Sequence, residues 1–136
     1  MPECVFCDIV AGERSAHRLH EDERTLAFLD AAPAAPGHAL VVPKPHRETL
    51  TEVEPDLAVD LFRSVRRVAS AVESALDPDG LNVVQSNGEA AGQDVFHAHV
   101  HVVPRYGDDD VTLAWSPGDP PGESDRDIAA EIRDAL

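Results

Sequence analysis

The sequence predicts an α+β domain built on an antiparallel sheet, and three observations carry that prediction. Leu57, Leu61, Val65, Val68, Val72 and Leu76 recur at steps of three and four, which is one face of a helix over residues 57–76. Four short runs of β-branched and apolar residues, each bounded by Gly, Pro, Asn or Asp, read as strands placed before and after that helix. The chain has 136 residues, 43% of them hydrophobic, so its length suits a single domain, residues 1–136, around one core.

Taken in order, "DIVAG" after Cys7 reads as a short helix and "HRLHED" (17–22) as an edge strand. "TLAFLD" (25–30) and "HALVVP" (38–43) are the first two of the four main strands, with His38 merely opening the second. His17 and His20 read as edge-strand surface residues. Thr51 with Glu54 resembles a capping box, Pro55 suits a first helical turn, and "DPDG" (77–80) supplies a stop, which frames the long helix. "LNVVQS" (81–86) and "HAHVHVV" (97–103) are the remaining strands. Beyond the Pro/Gly loop "WSPGDPPGES", residues 124–135 read as a closing helix with Ser124 as N-cap and Ile128 and Ile132 facing inward. No internal repeat or low-complexity linker interrupts this order.

The formal net charge is −15, and Lys44 is the only lysine. Such a surface repels nucleic-acid backbones and anionic membranes, so neither is an expected partner. Acidic chains poor in aromatics are often disordered, but the periodic apolar segments here argue for a folded protein. A halophilic setting is a second account of the acidity: molar salt screens the repulsion, and a dense carboxylate surface keeps the chain soluble. No stretch approaches the ~18 apolar residues of a membrane span, and "MPECVFCDIV" lacks a basic region followed by a long apolar one. A cytoplasmic location is expected. Thiols stay reduced there, so Cys4 and Cys7 read as metal ligands or a redox pair rather than a structural disulfide.

"VFHAHVHVVPR" (95–105) carries the strongest chemical signal. On a strand, His97, His99 and His101 share one face while Ala98, Val100 and Val102 share the other. The apolar face belongs to the core, so the histidine face looks into a polar site, because three unpartnered imidazoles are costly to bury. His-x-His places two imidazoles about 6.6 Å apart at Cα, close enough to share a zinc, whereas the outer pair is about 13 Å apart and serves different tasks. A neutral imidazole is also a nucleophile toward phosphorus, and a neighbouring histidine can hold its tautomer or donate a proton. Just upstream, "SNGEAAGQD" (86–94) supplies glycines and amides whose backbone N–H groups can approach an anion.

"HAHVHVV" resembles the His-apolar-His-apolar-His-apolar-apolar motif of the histidine triad (HIT) nucleotide hydrolases and transferases. "CVFCDIVAGE" (4–13), "LAFLDAAPAAPGHALVVPKPH" (26–46) and "NGEAAGQDVFHAHVHVVPR" (87–105) are similar to that family's blocks in order and spacing. The resemblance spans most of the first 105 residues, so the core is expected over 4–105 and a C-terminal loop and helix over 106–136. It implies a five-stranded antiparallel sheet, with one long helix and a C-terminal helix, continued across a homodimer. It also implies hydrolysis or transfer of nucleoside monophosphates from phosphoramidates, acyl-adenylates or dinucleoside polyphosphates. By position, His99 resembles the nucleophile on the α-phosphorus and His101 its phosphate-contacting partner. Asn87, Gly92, Gln93 and Asp94 fall where the family binds phosphates, Asp30 where a carboxylate meets the ribose hydroxyls, and Ile9, Phe28 and Leu29 where the base lies. Asp30 reads equally well as a strand-end turn residue. An aspartate at position 94 is a departure from the family's small or neutral residue, because it repels phosphate unless it turns to solvent.

Cys-x-x-Cys by itself does not separate zinc from redox chemistry. His46 in "PKPH" and His97 resemble the zinc ligands of relatives that keep the cysteine pair, which implies a closed Cys4, Cys7, His46, His97 site. A site with four protein ligands is structural, so no metal is required for the chemistry. The other class of function open to the same pocket is a nucleotide-binding regulatory module without significant turnover.

Overall fold

The computed structural model describes residues 3–113 and 115–136; of the domain expected over 1–136, residues 1, 2 and 114 lie outside the described residues. Three helices and five strands follow one another as α1 (Val5–Ala11), β1 (Arg18–Glu21), β2 (Thr25–Leu29), β3 (Ala39–Pro43), α2 (Pro55–Leu76), β4 (Gly80–Gln85), β5 (Val100–Arg105) and α3 (Glu123–Ala135). The strands form one sheet in the order β1-β2-β3-β5-β4, antiparallel at every step. This is the α+β architecture expected from the periodicities.

The two faces of the sheet have different occupants. Ala27, Ala39, Val41, Val100 and Val102 point toward α2 and bury with Leu61, Val65, Val68 and Val72. Leu26, Phe28, Leu40 and Val42 point the other way and bury with Phe6 and Ile9 of α1. The step-of-two alternation of β2 and β3 therefore divides one sheet between a long helix and a short one. Because α1 is only seven residues long, it covers part of its face and leaves a cleft beside it.

The ends of α2 differ from the sequence reading at one side only. Asp77 takes the left-handed conformation (φ 47°) and stops the helix, as "DPDG" predicts. At the start, Pro55 opens α2, but the Thr51–Glu54 capping box does not form. Residues Leu50–Glu52 make a 3-10 turn, and the Glu54 carboxylate is drawn instead to Arg47, at 2.8 Å. A charge-assisted bond to a guanidinium outcompetes a bond to a backbone amide there.

Two further expectations are corrected. The histidine strand begins at Val100, not at residue 97, because its partner β3 ends at Pro43, which has no N–H to continue the ladder. Ala98 N donates to Arg47 O at 2.6 Å, so the chain is anchored outside the sheet there. The closing helix starts at Glu123, with Gly122 N donating to Asp125 Oδ2 at 2.7 Å, so Ser124 lies inside the first turn rather than capping it. Ile128 and Ile132 are 49% and 58% exposed, not inward-facing, since α1 and α2 already occupy the two faces of the sheet.

Candidate active site and metal centre

Cys4, Cys7, His46 and His97 converge although they come from three separate parts of the chain. Cys4 caps α1, its sulfur accepting from Cys7 N at 3.3 Å, and α1 lays both sulfurs against the chain leading into β5. His97 is fully buried, and its Nε2 donates to Pro43 O at 2.7 Å. That bond places the proton on Nε2 and leaves a lone pair on Nδ1. Nδ1 faces Cys4 Sγ at 3.3 Å, Cys7 Sγ at 3.6 Å and His46 Nδ1 at 3.2 Å. Tetrahedral zinc with bonds of about 2.0–2.1 Å to nitrogen and about 2.3 Å to sulfur spaces its ligand atoms about 3.3–3.8 Å apart. Two soft sulfurs and an acceptor nitrogen so spaced fit a divalent cation far better than a set of hydrogen bonds. Burial, then the neighbouring Cys4 sulfur, pushes the Cys7 thiol up to about 11, and burial pushes His97 down to about 4. His97 is thus neutral and available as a ligand at neutral pH.

The second group of histidines lines the cleft beside α1. The His99 ring is buried edge-on against Phe6, with ring centres 5.1 Å apart, and its Nδ1 donates to His97 O at 2.7 Å. Its proton is therefore on Nδ1, and Nε2 presents a bare lone pair. His101 sits 5.0 Å from His99, ring centre to ring centre. Ala34 N donates to His38 Nδ1 at 2.9 Å, so the His38 proton is on Nε2, which donates to His101 Nδ1 at 2.8 Å. The His101 proton is then on Nε2. Burial lowers the pKa of both His38 and His101, against the pull of Asp30, whose Oδ2 lies 3.5 Å from His38 Nε2. Both rings are neutral at neutral pH, and each tautomer is set by the next group along the chain of bonds.

The cleft, about 690 Å³, is lined by the apolar side chains of Ile9, Phe28, Leu29 and Leu40 and by the polar ones of Asp30, Asp94, His99 and His101, with Leu40 directly across the ladder from His101. Asp30 makes the turn contact, Oδ1 accepting from Ala32 N at 2.9 Å, and its side chain also lines the cleft. Asn87, Gly92 and Gln93 are not part of the cleft lining: Asn87 and Gly92 are exposed beside it and Gln93 is buried. Gln93 is buried, receiving Gly88 N on Oε1 at 2.7 Å and donating through Nε2 to Glu48 O at 2.6 Å and Val95 O at 3.0 Å. Asn87 Oδ1 accepts from Leu50 N at 2.7 Å, and Gly92 N donates to Glu89 O at 2.9 Å. These residues shape the loop that carries Asp94. Asp94 does not turn away from the site: Oδ1 lies 3.7 Å from His99 Nε2, although the side chain is 81% exposed.

His38 is the functional residue that sequence reasoning missed. Parity was the available signal, because His38 shares a face with Leu40, and Leu40 pairs with His101 across the ladder. Gly37, at φ 93°, turns the chain into that position, where a Cβ would collide with the Leu76 side chain.

Fold and site together define an α+β domain with a cleft of about 690 Å³ lined by His99 and His101, beside a Cys4, Cys7, His46, His97 cluster that could hold a metal ion. The HIT domain family model matches residues 11–108, and the chain belongs to that family. Among curated relatives, protein hit from Bacillus subtilis is 46% identical over 107 residues, covering 79% of this chain and 74% of that protein. An adenylylsulfatase from Arabidopsis thaliana is 40% identical over 103 residues, covering 76% of this chain and 52% of that one. The crystal structure of a HIT family member from B. subtilis superposes with a TM-score of 0.94 at 40% identity, covering 99% of this chain and 98% of the other. A zinc-bound histidine triad family protein from Mycobacterium smegmatis superposes with a TM-score of 0.76 at 38% identity, covering 98% and 97%.

Proposed function

We propose that this protein is a nucleotidyl hydrolase or transferase that cleaves the bond between the α-phosphorus and its leaving group in nucleoside phosphoramidates, acyl-adenylates or dinucleoside polyphosphates. The observation that carries this reading is the bare Nε2 of His99, whose other nitrogen is committed to His97 O. The base enters the apolar end between Ile9, Phe28 and Leu29, and Asp30 accepts from the ribose hydroxyls. His99 Nε2 attacks phosphorus, an N–P bond forms as the bond to the leaving group breaks, and the leaving group departs with the bonding pair and takes a proton from solvent, which the water of the second step returns. His101, its proton held on Nε2 by His38, hydrogen-bonds the phosphoryl oxygens as charge builds on them. Water, or another acceptor, then attacks phosphorus, releases the nucleotide and restores neutral His99.

The metal of Cys4, Cys7, His46 and His97 is zinc in this reading. With all four ligands supplied by the protein, zinc there would contribute folding free energy and none of the chemistry. The zinc-bound M. smegmatis neighbour supports the assignment. The adenylylsulfatase relative supports attack at an adenylyl phosphorus. The functional unit is a homodimer.

Rapid mixing with adenosine 5′-phosphoramidate, acid quench and mass analysis test the reading. A burst of protein carrying one adenylyl group, mapped to His99 and absent from His99→Ala, is expected. Tight nucleotide binding with neither burst nor turnover assigns the pocket to a regulatory module and overturns it.

A further inference from the structure

Two cavities meet at the proposed nucleophile. The nucleotide cleft and a second cavity of about 580 Å³ share Val5, Arg14, Asp94 and Val95 in their walls. His99 lines the first of them, and its Nε2, on a side chain only 4% exposed, lies 3.7 Å from Oδ1 of Asp94 on the shared wall. Asp94 is held there by Val95 N, which donates to Oδ1 at 2.9 Å. A nucleoside seated in the apolar end of the first cleft, with its α-phosphorus at His99, leaves the second cavity as the space for whatever lies beyond phosphorus.

The charge of that space is one-sided. Glu3, Asp8, Glu48 and Asp94 line it against the single guanidinium of Arg14, beside Cys4 and His46 of the metal cluster, where a divalent cation held by two thiolates adds no net charge. Among the described residues, none of the four carboxylates is in an ion pair with Lys or Arg. We propose that the second cavity is the leaving-group subsite and that Asp94, with Glu48 behind it, selects a leaving group that carries positive charge. An amine bearing a second ammonium fits; a sulfate or a second nucleotide brings further negative charge against four carboxylates and is disfavoured. This rests on the nucleotidyl-transfer reading above and names the substrate class within it.

The test uses three adenosine phosphoramidates whose leaving amines have the same length and end in an ammonium, a methyl or a carboxylate group. At low salt, kcat/KM is expected to favour the ammonium over the methyl compound by about tenfold and over the carboxylate by about a hundredfold, the scale of one to two partly screened charge contacts. Asp94→Asn lowers the ammonium-to-methyl ratio to about threefold, and raising the salt compresses the wild-type ratio in the same direction. Glu48→Gln carries the same comparison should Asp94→Asn fail to fold. Equal kcat/KM for all three compounds, or a ratio that neither substitution nor salt moves, overturns the subsite while leaving nucleotidyl transfer intact. Failure of the folded protein to turn over any of the three overturns both readings.

Discussion

Replacing Cys4 by Ser separates the metal from the chemistry. Serine is as good an N-cap as the position can have, so α1 keeps its first turn and the change falls on the metal alone. A hydroxyl is a poor ligand for a cation held by soft sulfur, and the cluster is left with three donors. If the native protein is saturated at about a thousand times its dissociation constant, losing that occupancy costs about 4 kcal/mol. At roughly 3 °C per kcal/mol for a domain of this size, the melting temperature falls by about 12 °C. The damage begins where the cluster pins α1, because Phe6 and Ile9 lie against Leu26, Phe28, Leu40 and Val42 only while the N-terminus is held. Metal analysis, thermal melts by circular dichroism and turnover at low temperature read the three consequences: less metal, an earlier melt, and activity that survives. His99→Ala gives the opposite pattern, keeping metal and most of its stability while turnover falls by several orders of magnitude. If folded Cys4→Ser is inactive, or a chelator stops the native enzyme without unfolding it, the metal is catalytic and His99 is not the nucleophile.

Other consequences are as direct. His38→Ala removes the donor that sets the His101 tautomer, so kcat falls by roughly a hundredfold with KM little changed; an unchanged kcat removes His38 from the mechanism. In the chelated protein, burial lowers the pKa of His38, His97 and His101, with His97 reaching about 4, below the unfolded value of 6.5. The unfolded chain then binds more protons than the fold at acid pH. Stability is full above the unfolded value and is lost as pH falls from there toward the folded one, for His97 alone by roughly 2 kcal/mol at pH 5 and roughly 3 kcal/mol below pH 4. Urea melts between about pH 7.5 and pH 5 check the sign, and greater stability at the lower pH refutes it. The edge strand β4, with exposed Val83, and exposed Val59 and Phe62 of α2 offer apolar surface for the proposed homodimer, for which light scattering is expected to give twice 14.6 kDa. Association strengthens with salt at −15 per subunit; a monomer mass at micromolar concentration and high salt refutes the dimer.

The sequence by itself determined what depends on short-range periodicity. The three-and-four spacing of Leu57 to Leu76 places α2 to within two residues at its start and none at its end, because a helix face is written along the chain. Parity put Val100 and Val102 on a core face and the triad histidines on the other, and both placements survive even though the ladder begins only at Val100; that the core face is the one under α2 came from the structure. Cys4, Cys7, His46 and His97 were legible as a set through the motifs that flank them.

What only the tertiary structure decided depends on which groups meet across distance. Glu54 abandons a cap because Arg47 lies beside it, and Ile128 and Ile132 stay exposed because other helices reach the sheet faces first. Gln93 looks like a phosphate ligand by position, yet both its amide hydrogens are given to Glu48 O and Val95 O, which leaves its side chain no donor for an anion. His38 opens a strand as far as local sequence can tell. Its role follows from a register in which Leu40 faces His101, which brings two imidazoles 63 residues apart to 2.8 Å and decides where each proton sits. Proton positions are properties of partners, and partners are assigned by the fold.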